Sequence, residues 1–316
     1  MKDFYSLASE VLSITVPIFV VVAIGYFIRR KGIVTEKSVH GLNKIAYNIA
    51  LPALIFITIT RHSLAEIFNP SIIKVIYSTY AIYIFLVFLF VNFTKSSNKF
   101  KSAFIVSSFR CNMAFIGFPI VLSAYGELAL AKASLVVAFL VPVNIIASIL
   151  IFRLYSKGEG KIMLRKMLLG LLVDPLILSA ILGIIISYLN FDFPQPVFKV
   201  LDILSGMAIG IALIAIGASF RFFHLKANIK ALSIISFLKL VLLPLIALGI
   251  STFVFKLDII DRNLIVILFS MPLAVVAFIM GKEYESDFNF ISSTLITTTI
   301  FSSITISGWL LILKII

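Results

Sequence analysis

Ten long apolar stretches run through the sequence and leave few folds open to it. A helix needs about 20 apolar residues to cross roughly 30 Å of hydrocarbon, and each stretch is close to that length. The predicted spans, numbered 1 to 10 along the chain, are 9–28, 42–60, 70–93, 102–124, 128–152, 170–189, 197–219, 230–254, 262–280 and 288–313. Because membrane β-strands are only about ten residues long and alternate in polarity, this pattern predicts an all-α polytopic membrane protein with ten transmembrane helices.

The composition excludes several other classes of protein. Apolar residues make up 61% of the chain and charged residues 13%, whereas soluble domains average about 45–50% and about 25%. A soluble globular enzyme, a disordered chain and a nucleic-acid-binding module are therefore excluded. The single cysteine, Cys111, and three scattered histidines fit no metal-ligand spacing, so we expect neither a metal site nor a cofactor.

The basic residues predict the orientation in the membrane. The chain has 27 Lys and Arg against 14 Asp and Glu, a net charge of +13. Sorted by the side on which each predicted loop falls, 16 cations lie on one side and seven on the other. Cytoplasmic loops carry the excess of Lys and Arg. The sequence therefore predicts a multi-pass protein of the cell membrane with both termini outside the cytoplasm.

The two halves of the chain predict an internal repeat. Proline recurs in spans 1 and 6 at Pro17 and Pro175, and in spans 4 and 9 at Pro119 and Pro272, about 153–159 residues apart. The predicted organisation is a five-helix repeat at 1–152, a cytoplasmic amphipathic linker at 153–169 and a second five-helix repeat at 170–316. Because five is odd, the repeats must have opposite topology. Inverted repeats with interrupted helices are typical of secondary transporters.

Spans 4 and 9 carry the candidate binding site. Gly117 and Pro119 can unwind span 4, and Pro272 follows Ser270 in span 9, so both breaks should lie near the middle of the membrane. Broken helices expose N-terminal amides that attract anions, and Asn112 could bind a carboxylate. The alternative is that these prolines only kink structural helices, which membrane proteins tolerate.

Two basic residues, Arg110 and Lys239, are predicted to lie deep within spans 4 and 8. A cation at the centre of the bilayer costs at least about 2.5–3.5 kcal/mol on insertion scales, so it usually faces a cavity or a partner. Either residue could attract an anionic substrate, or it could snorkel or pair with an acid or with carbonyl groups. Asn43, Tyr47 and Asn48 form a polar stripe on span 2 that could line a pathway or join helices.

Asp174 precedes Pro175 at the start of span 6, and two interpretations stay open. Asp is a favoured N-cap residue and Pro is favoured at the first helical position. The alternative is that Asp174 is a protonatable group that couples transport to an ion gradient.

Several stretches in a fixed order resemble one family. They are 48–56 (NIALPALIF), 112–119 (NMAFIGFP), 174–177 (DPLI), 215–219 (AIGAS), 239–244 (KLVLLP) and 271–274 (MPLA). Over nearly its whole length the chain resembles the auxin efflux carrier family, in particular its prokaryotic permeases. The chain departs from the family in two places. It has Asp at position 174, where the family often has Asn, and it lacks the Asn that the plant carriers have directly before the proline corresponding to Pro272. Auxin is therefore not carried over as the substrate.

The resemblance implies a fold of ten helices in two inverted five-helix repeats, similar to that of the bile acid:sodium symporters. Helices 4 and 9 would cross at their breaks beside an organic anion site. Helices 1, 2, 6 and 7 would form a scaffold, and helices 3–5 and 8–10 a transport domain that moves like an elevator.

Together these observations predict a secondary permease that moves a small organic anion across the cell membrane by alternating access. The predicted substrate-binding residues are Asn112, Pro119, Ser270, Pro272, Arg110, Lys239 and Asn48, with Asp174 as the candidate for ion coupling. The expected partners are the substrate, a coupling proton or sodium ion and the lipid bilayer, and a homodimer stays open. The alternative function is a sodium-coupled organic anion symporter of the bile-acid type. An intramembrane enzyme is disfavoured because the spans lack paired acids or a histidine cluster.

Overall fold

The computed structural model describes residues 2–155, 169–189, 191, 193–220 and 228–316. Within these residues every regular element is a helix, which confirms the all-α prediction there. Besides one short turn of helix at Leu64–Ile67, the helices are α1 Lys2–Arg30, α2 Glu36–Thr60, α3 Pro70–Asn92, α4 Asn98–Phe109, α5 Met113–Tyr155, α6 Pro175–Leu189, α7 Gln195–Ala218, α8 Ile229–Val254, α9 Ile259–Phe269, α10 Val275–Glu283 and α11 Phe288–Ile315. Most of the predicted amphipathic linker, 156–168, lies outside the described residues.

Eight of the described helical segments are long and apolar enough to cross a membrane. They contain α1, α2, α3, α5, α6, α7, α8 and α11. The outward faces of these helices carry many exposed large apolar side chains, among them Leu12, Val16 and Val20 on α1. Predicted spans 4 and 9 are each divided: α4 is followed by the start of α5, and α9 is followed by α10.

The long helix α5 reverses direction at Gly126. This residue has φ 81°, a left-handed conformation that glycine adopts readily, between an arm at 113–125 and an arm at 127–155. Arg110, just before the first arm, hydrogen-bonds to Ser148 in the second arm. In a straight helix these two positions would be about 57 Å apart. The two arms therefore run antiparallel.

Polar contacts define two opposite ends of the bundle. At one end the Lys132 ammonium lies 2.6 Å from Asp261 at the start of α9, and Asn69 at the start of α3 also donates to Asp261. At the other end the backbone N–H of Asp287 donates to the carbonyl of Lys99. The start of α4 therefore lies beside the connection from α10 to α11, far from the Asp261 contacts.

Glycines bring two helix pairs into close contact. Helix α1 packs on α7, and a Cβ atom at Gly217 would lie 1.8 Å from the carbonyl oxygen of Val22. A Cβ atom at Gly25 would likewise lie 2.3 Å from the carbonyl oxygen of Ile214. Helix α6 packs on α2, where Gly183 faces Ile59. Small residues allow this approach where no hydrophobic effect drives membrane helices together.

Candidate functional site

The two helix breaks meet and pair with each other. The backbone N–H of Asn112 donates to the carbonyl of Pro272 at 2.8 Å, and the N–H of Ala274 donates to the carbonyl of Arg110 at 3.0 Å. These bonds form an isolated antiparallel bridge between Cys111 and Leu273. Non-helical backbone is tolerated at membrane depth only where protein or a cavity surrounds it. The pairing of the two breaks supplies hydrogen bonds to part of this unwound backbone.

The first break lies earlier than the sequence predicts. Residues 110–112 are unwound, whereas Gly117 and Pro119 lie in helix α5. The helix widens into a π turn over Met113–Gly117, and this wider turn accommodates the missing N–H of Pro119 without breaking the helix. A Cβ atom at Gly117 would lie 3.1 Å from the side chain of Leu268, so this glycine allows close packing on α9.

The C-terminal end of α4 is capped by three side chains. The Tyr83 and Tyr80 hydroxyls donate to the carbonyls of Ser108 and Phe109 at 3.4 and 2.9 Å. The Lys239 ammonium donates to the carbonyls of Ser108 and Arg110 at 3.3 and 3.0 Å. The last carbonyls of a helix lack intrahelical partners and carry partial negative charge. The capping groups therefore supply hydrogen bonds to these carbonyls and offset their partial negative charge at the buried end of the half-helix.

The N-terminal ends that follow the breaks face one shared cavity of about 100 Å³. Helix α5 begins at Met113 and helix α10 at Val275, and neither has a side-chain N-cap bond. The lining includes Arg110, Asn112 and Ala274 from the crossing, Tyr47 from α2, Asn144 from the second arm of α5 and Leu176 from α6. Free N-terminal amides and the helix dipole make such ends favourable for anions.

The Arg110 guanidinium brings a positive charge into this cavity. Its Nη1 lies 3.3 Å from the carbonyl of Asn144, 3.1 Å from the Ser148 hydroxyl and 3.1 Å from the Met280 sulfur. Arg110 is 7% exposed, and its Nε atom is buried without a hydrogen-bond partner. Each of these hydrogen-bond acceptors is neutral. A bound anion could therefore supply the charge that these contacts do not.

The structure separates the other predicted site residues from the cavity. Lys239 lies at the end of α4, and Pro272 contributes its carbonyl to the bridge. Ser270 is fully buried and donates to the carbonyl of Ile267 at 2.8 Å. Asn48 is exposed and donates to the carbonyl of Lys44. Of the predicted binding residues, only Arg110 and Asn112 line the cavity.

Asp174 caps helix α6, as one of its two interpretations predicted. Its Oδ1 accepts hydrogen bonds from the backbone N–H groups of Leu176 and Ile177 at 3.0 and 3.2 Å. Its Oδ2 accepts a hydrogen bond from the Tyr47 hydroxyl at 2.8 Å. Because Tyr47 also lines the cavity, Asp174 holds that side chain in its position.

Sequence reasoning missed four residues that support the crossing. Tyr80 and Tyr83 cap α4, Ser148 contacts Arg110, and the Thr298 hydroxyl accepts from the N–H of Leu273 at 3.2 Å. The two tyrosines stand three residues apart in an apolar span, the spacing of one helix face. That spacing was a usable signal, whereas Ser148 and Thr298 resemble the many other hydroxyl residues of the spans.

Comparisons with known proteins place the chain among transporters. The profile of a family described as membrane transport protein matches residues 11–310. An uncharacterized transporter of Methanocaldococcus jannaschii is 27% identical over 316 residues, covering 95% of this chain and 99% of that protein. A Rhizobium meliloti protein named "Putative malonate transporter" is 25% identical over 311 residues, covering 97% of each chain. These matches describe transporters rather than enzymes, as the sequence predicted.

Proposed function

Since this chain belongs to the membrane transport protein family, the auxin efflux carrier family that its sequence resembles, we propose that it is a secondary permease for a small organic anion. The protein is a multi-pass membrane transporter. Its substrate, in this proposal, is a mono- or dicarboxylate that binds at the crossing of the broken helices. Alternating access then exposes the bound anion to each side of the membrane in turn.

One observation carries the assignment of an anion: two half-helix N-termini, Arg110 and Asn112 share a single cavity. Each N-terminus stabilises a negative charge by about 0.3–1 kcal/mol in exposed settings and by more where it is partly buried. Arg can bind a carboxylate through two parallel hydrogen bonds. The Asn112 amide supplies further donors, and the volume of about 100 Å³ suits a ligand of a few heavy atoms.

We also propose the ten-helix arrangement of two inverted repeats. It counts α4 with the first arm of α5 as one broken crossing, and α9 with α10 as another. Gly25 and Gly183 support it: each lies in the first helix of its half, about 158 residues apart, and each packs against the second helix of the other half. The breaks at 110–112 and 270–274 are likewise about 160 residues apart, and they pair with each other.

The proposed domains assign α1, α2, α6 and α7 to the scaffold and the remaining helices to the moving transport domain. The cavity supports this division because its walls come from both groups. Tyr47 and Leu176 lie on α2 and α6, whereas Arg110, Asn112 and Ala274 belong to the crossing. An elevator-like step would carry the crossing past the Tyr47 wall.

The membrane orientation and the energy source complete the proposal. The excess of Lys and Arg on one set of loops puts both termini outside the cytoplasm. A proton or sodium gradient, or the membrane potential alone, would drive the flux, and Asp174 stays a prediction as a coupling group. The sodium-coupled symporter of the bile-acid type is the alternative within the same architecture.

The decisive experiment is flux into proteoliposomes that contain the purified protein. Malonate is the first probe because one relative is named for it, and unlabelled mono- and dicarboxylates then compete. We expect Asn112→Ala to lower uptake about tenfold or more, because it removes side-chain donors from the cavity. Asn92→Ala, at an exposed position at the end of α3, is the matched control and should transport normally. Unchanged uptake by the Asn112 variant would exclude this site.

A further inference from the structure

The Lys239 side chain is enclosed at the crossing, on the carbonyl side of the first break. It is 0% exposed, and its ammonium lies 3.3 Å from the carbonyl of Ser108, 3.0 Å from the carbonyl of Arg110 and 3.6 Å from the Cys111 sulfur. An ammonium group has three N–H donors and no acceptor. Three acceptors on one short segment therefore match its three donors, and none of the three is a carboxylate.

This position is one at which broken-helix transporters bind a cation. The C-terminal end of a half-helix carries roughly half a negative charge, and unwound carbonyls together with such ends coordinate coupling Na⁺ or H⁺. We propose that the C-terminal end of α4 is a monovalent-cation site whose permanent occupant is the ammonium of Lys239. The protein therefore takes up no sodium ion at this end, and transport should owe no sodium dependence to this site.

The surrounding helices hold the lysine in this position. Helix α8 widens into a π turn over Leu238–Leu242, which contains Lys239, and such turns are frequent at functional sites. The Trp309 indole N–H donates to the carbonyl of Leu240 at 2.9 Å, so the widened turn is tied to α11. The Lys239 ammonium thus supplies the positive charge that a bound ion supplies at the half-helix ends of other transporters.

The cation site and the anion cavity lie on the same break. The carbonyl of Arg110 accepts from both Lys239 and the N–H of Ala274, and the Arg110 side chain lines the cavity. The fixed ammonium therefore stabilises the pairing of the two breaks whether or not substrate is present.

A thermal-unfolding experiment on purified protein tests the site without any assumption about substrate. The wild type should have the same melting temperature in sodium chloride and in choline chloride at equal ionic strength. Lys239→Ala removes the ammonium from the carbonyls of Ser108 and Arg110, leaves each with one remaining donor, and should lower the melting temperature by about 5 °C or more. Sodium, potassium or methylammonium chloride should then raise it saturably in the variant. Lys74→Ala, at an exposed position on α3, should behave like the wild type.

Each outcome decides the proposal. The cation site would be overturned by a variant that folds but whose melting temperature responds to none of the three cations. A saturable effect of sodium on the melting temperature of the wild type would also overturn it. If Lys239→Ala cannot be purified, the wild-type comparison decides alone. Malonate flux with sodium replaced by choline is a second arm, which rests on the proposed function. Absence of any carboxylate flux would defeat that function and leave the unfolding result standing.

Discussion

At the scale of single residues, the contacts of Asp174 bear on two roles that an acid can have in a transporter. It can stabilise the start of a helix, or it can carry a proton during transport. Its three hydrogen bonds come from two N–H groups of helix α6 and from the Tyr47 hydroxyl. Both carboxylate oxygens are therefore in use, and the geometry is that of an N-cap. A coupling role would require the charge of this group to change during transport.

Replacing Asp174 distinguishes these roles. Asp174→Asn keeps the capping oxygen but offers an NH₂ group to Tyr47, so we expect folding to persist and malonate uptake to fall only modestly. The response of uptake to an imposed pH gradient should equal that of the wild type. Asp174→Ala removes the cap and should destabilise the protein by about 1 kcal/mol, measured as a lower melting temperature. Loss of the pH response in the Asn variant would instead identify a coupling acid.

At the scale of elements, local sequence patterns gave several helices closely. Span 3 was expected at 70–93 and the helix is Pro70–Asn92, while Asp174 and Pro175 marked the start of α6. The break near span 4 was misplaced because Pro119 is a local signal. The residues that unwind are those that pair with 272–274, about 160 residues further along the chain. Lys239 is fully buried in the protein, and its carbonyl partners, which the sequence does not reveal, lie more than 125 residues away.

The contact between α1 and α7 yields a prediction about a helix pair. A methyl group at Gly217 would overlap the backbone of Val22, which cannot move as a flexible side chain can. Gly217→Ala should therefore force α1 and α7 apart and cost about 1–3 kcal/mol or more, seen as a lower melting temperature or lost folding. Gly210→Ala, on the same helix with open space around it, is the control and should be neutral or slightly stabilising. Equal behaviour of the two variants would contradict the close packing.

At the scale of the whole molecule, the number of membrane crossings depends on how the broken helices are counted. Eight described helical segments are long enough to cross alone, whereas ten crossings require the pairs of half-helices to span the membrane together. The reversal of α5 at Gly126 separates the first arm from the second, as the ten-crossing proposal requires of the first pair. If α4 and the first arm form one crossing, positions 95 and 127 lie on opposite sides of the membrane.

Single cysteines at those two positions test both the crossing and the orientation. Lys95 and Glu127 are exposed, and the native Cys111 is 7% exposed, so background labelling should be low. In intact cells a membrane-impermeant maleimide should label Glu127→Cys, and Lys95→Cys should react only after permeabilisation. The excess of basic residues on the loop side that contains Lys95 is the physical reason. The reverse pattern would keep the crossing and invert the orientation, while identical labelling of both variants would show that the broken helix does not span the bilayer.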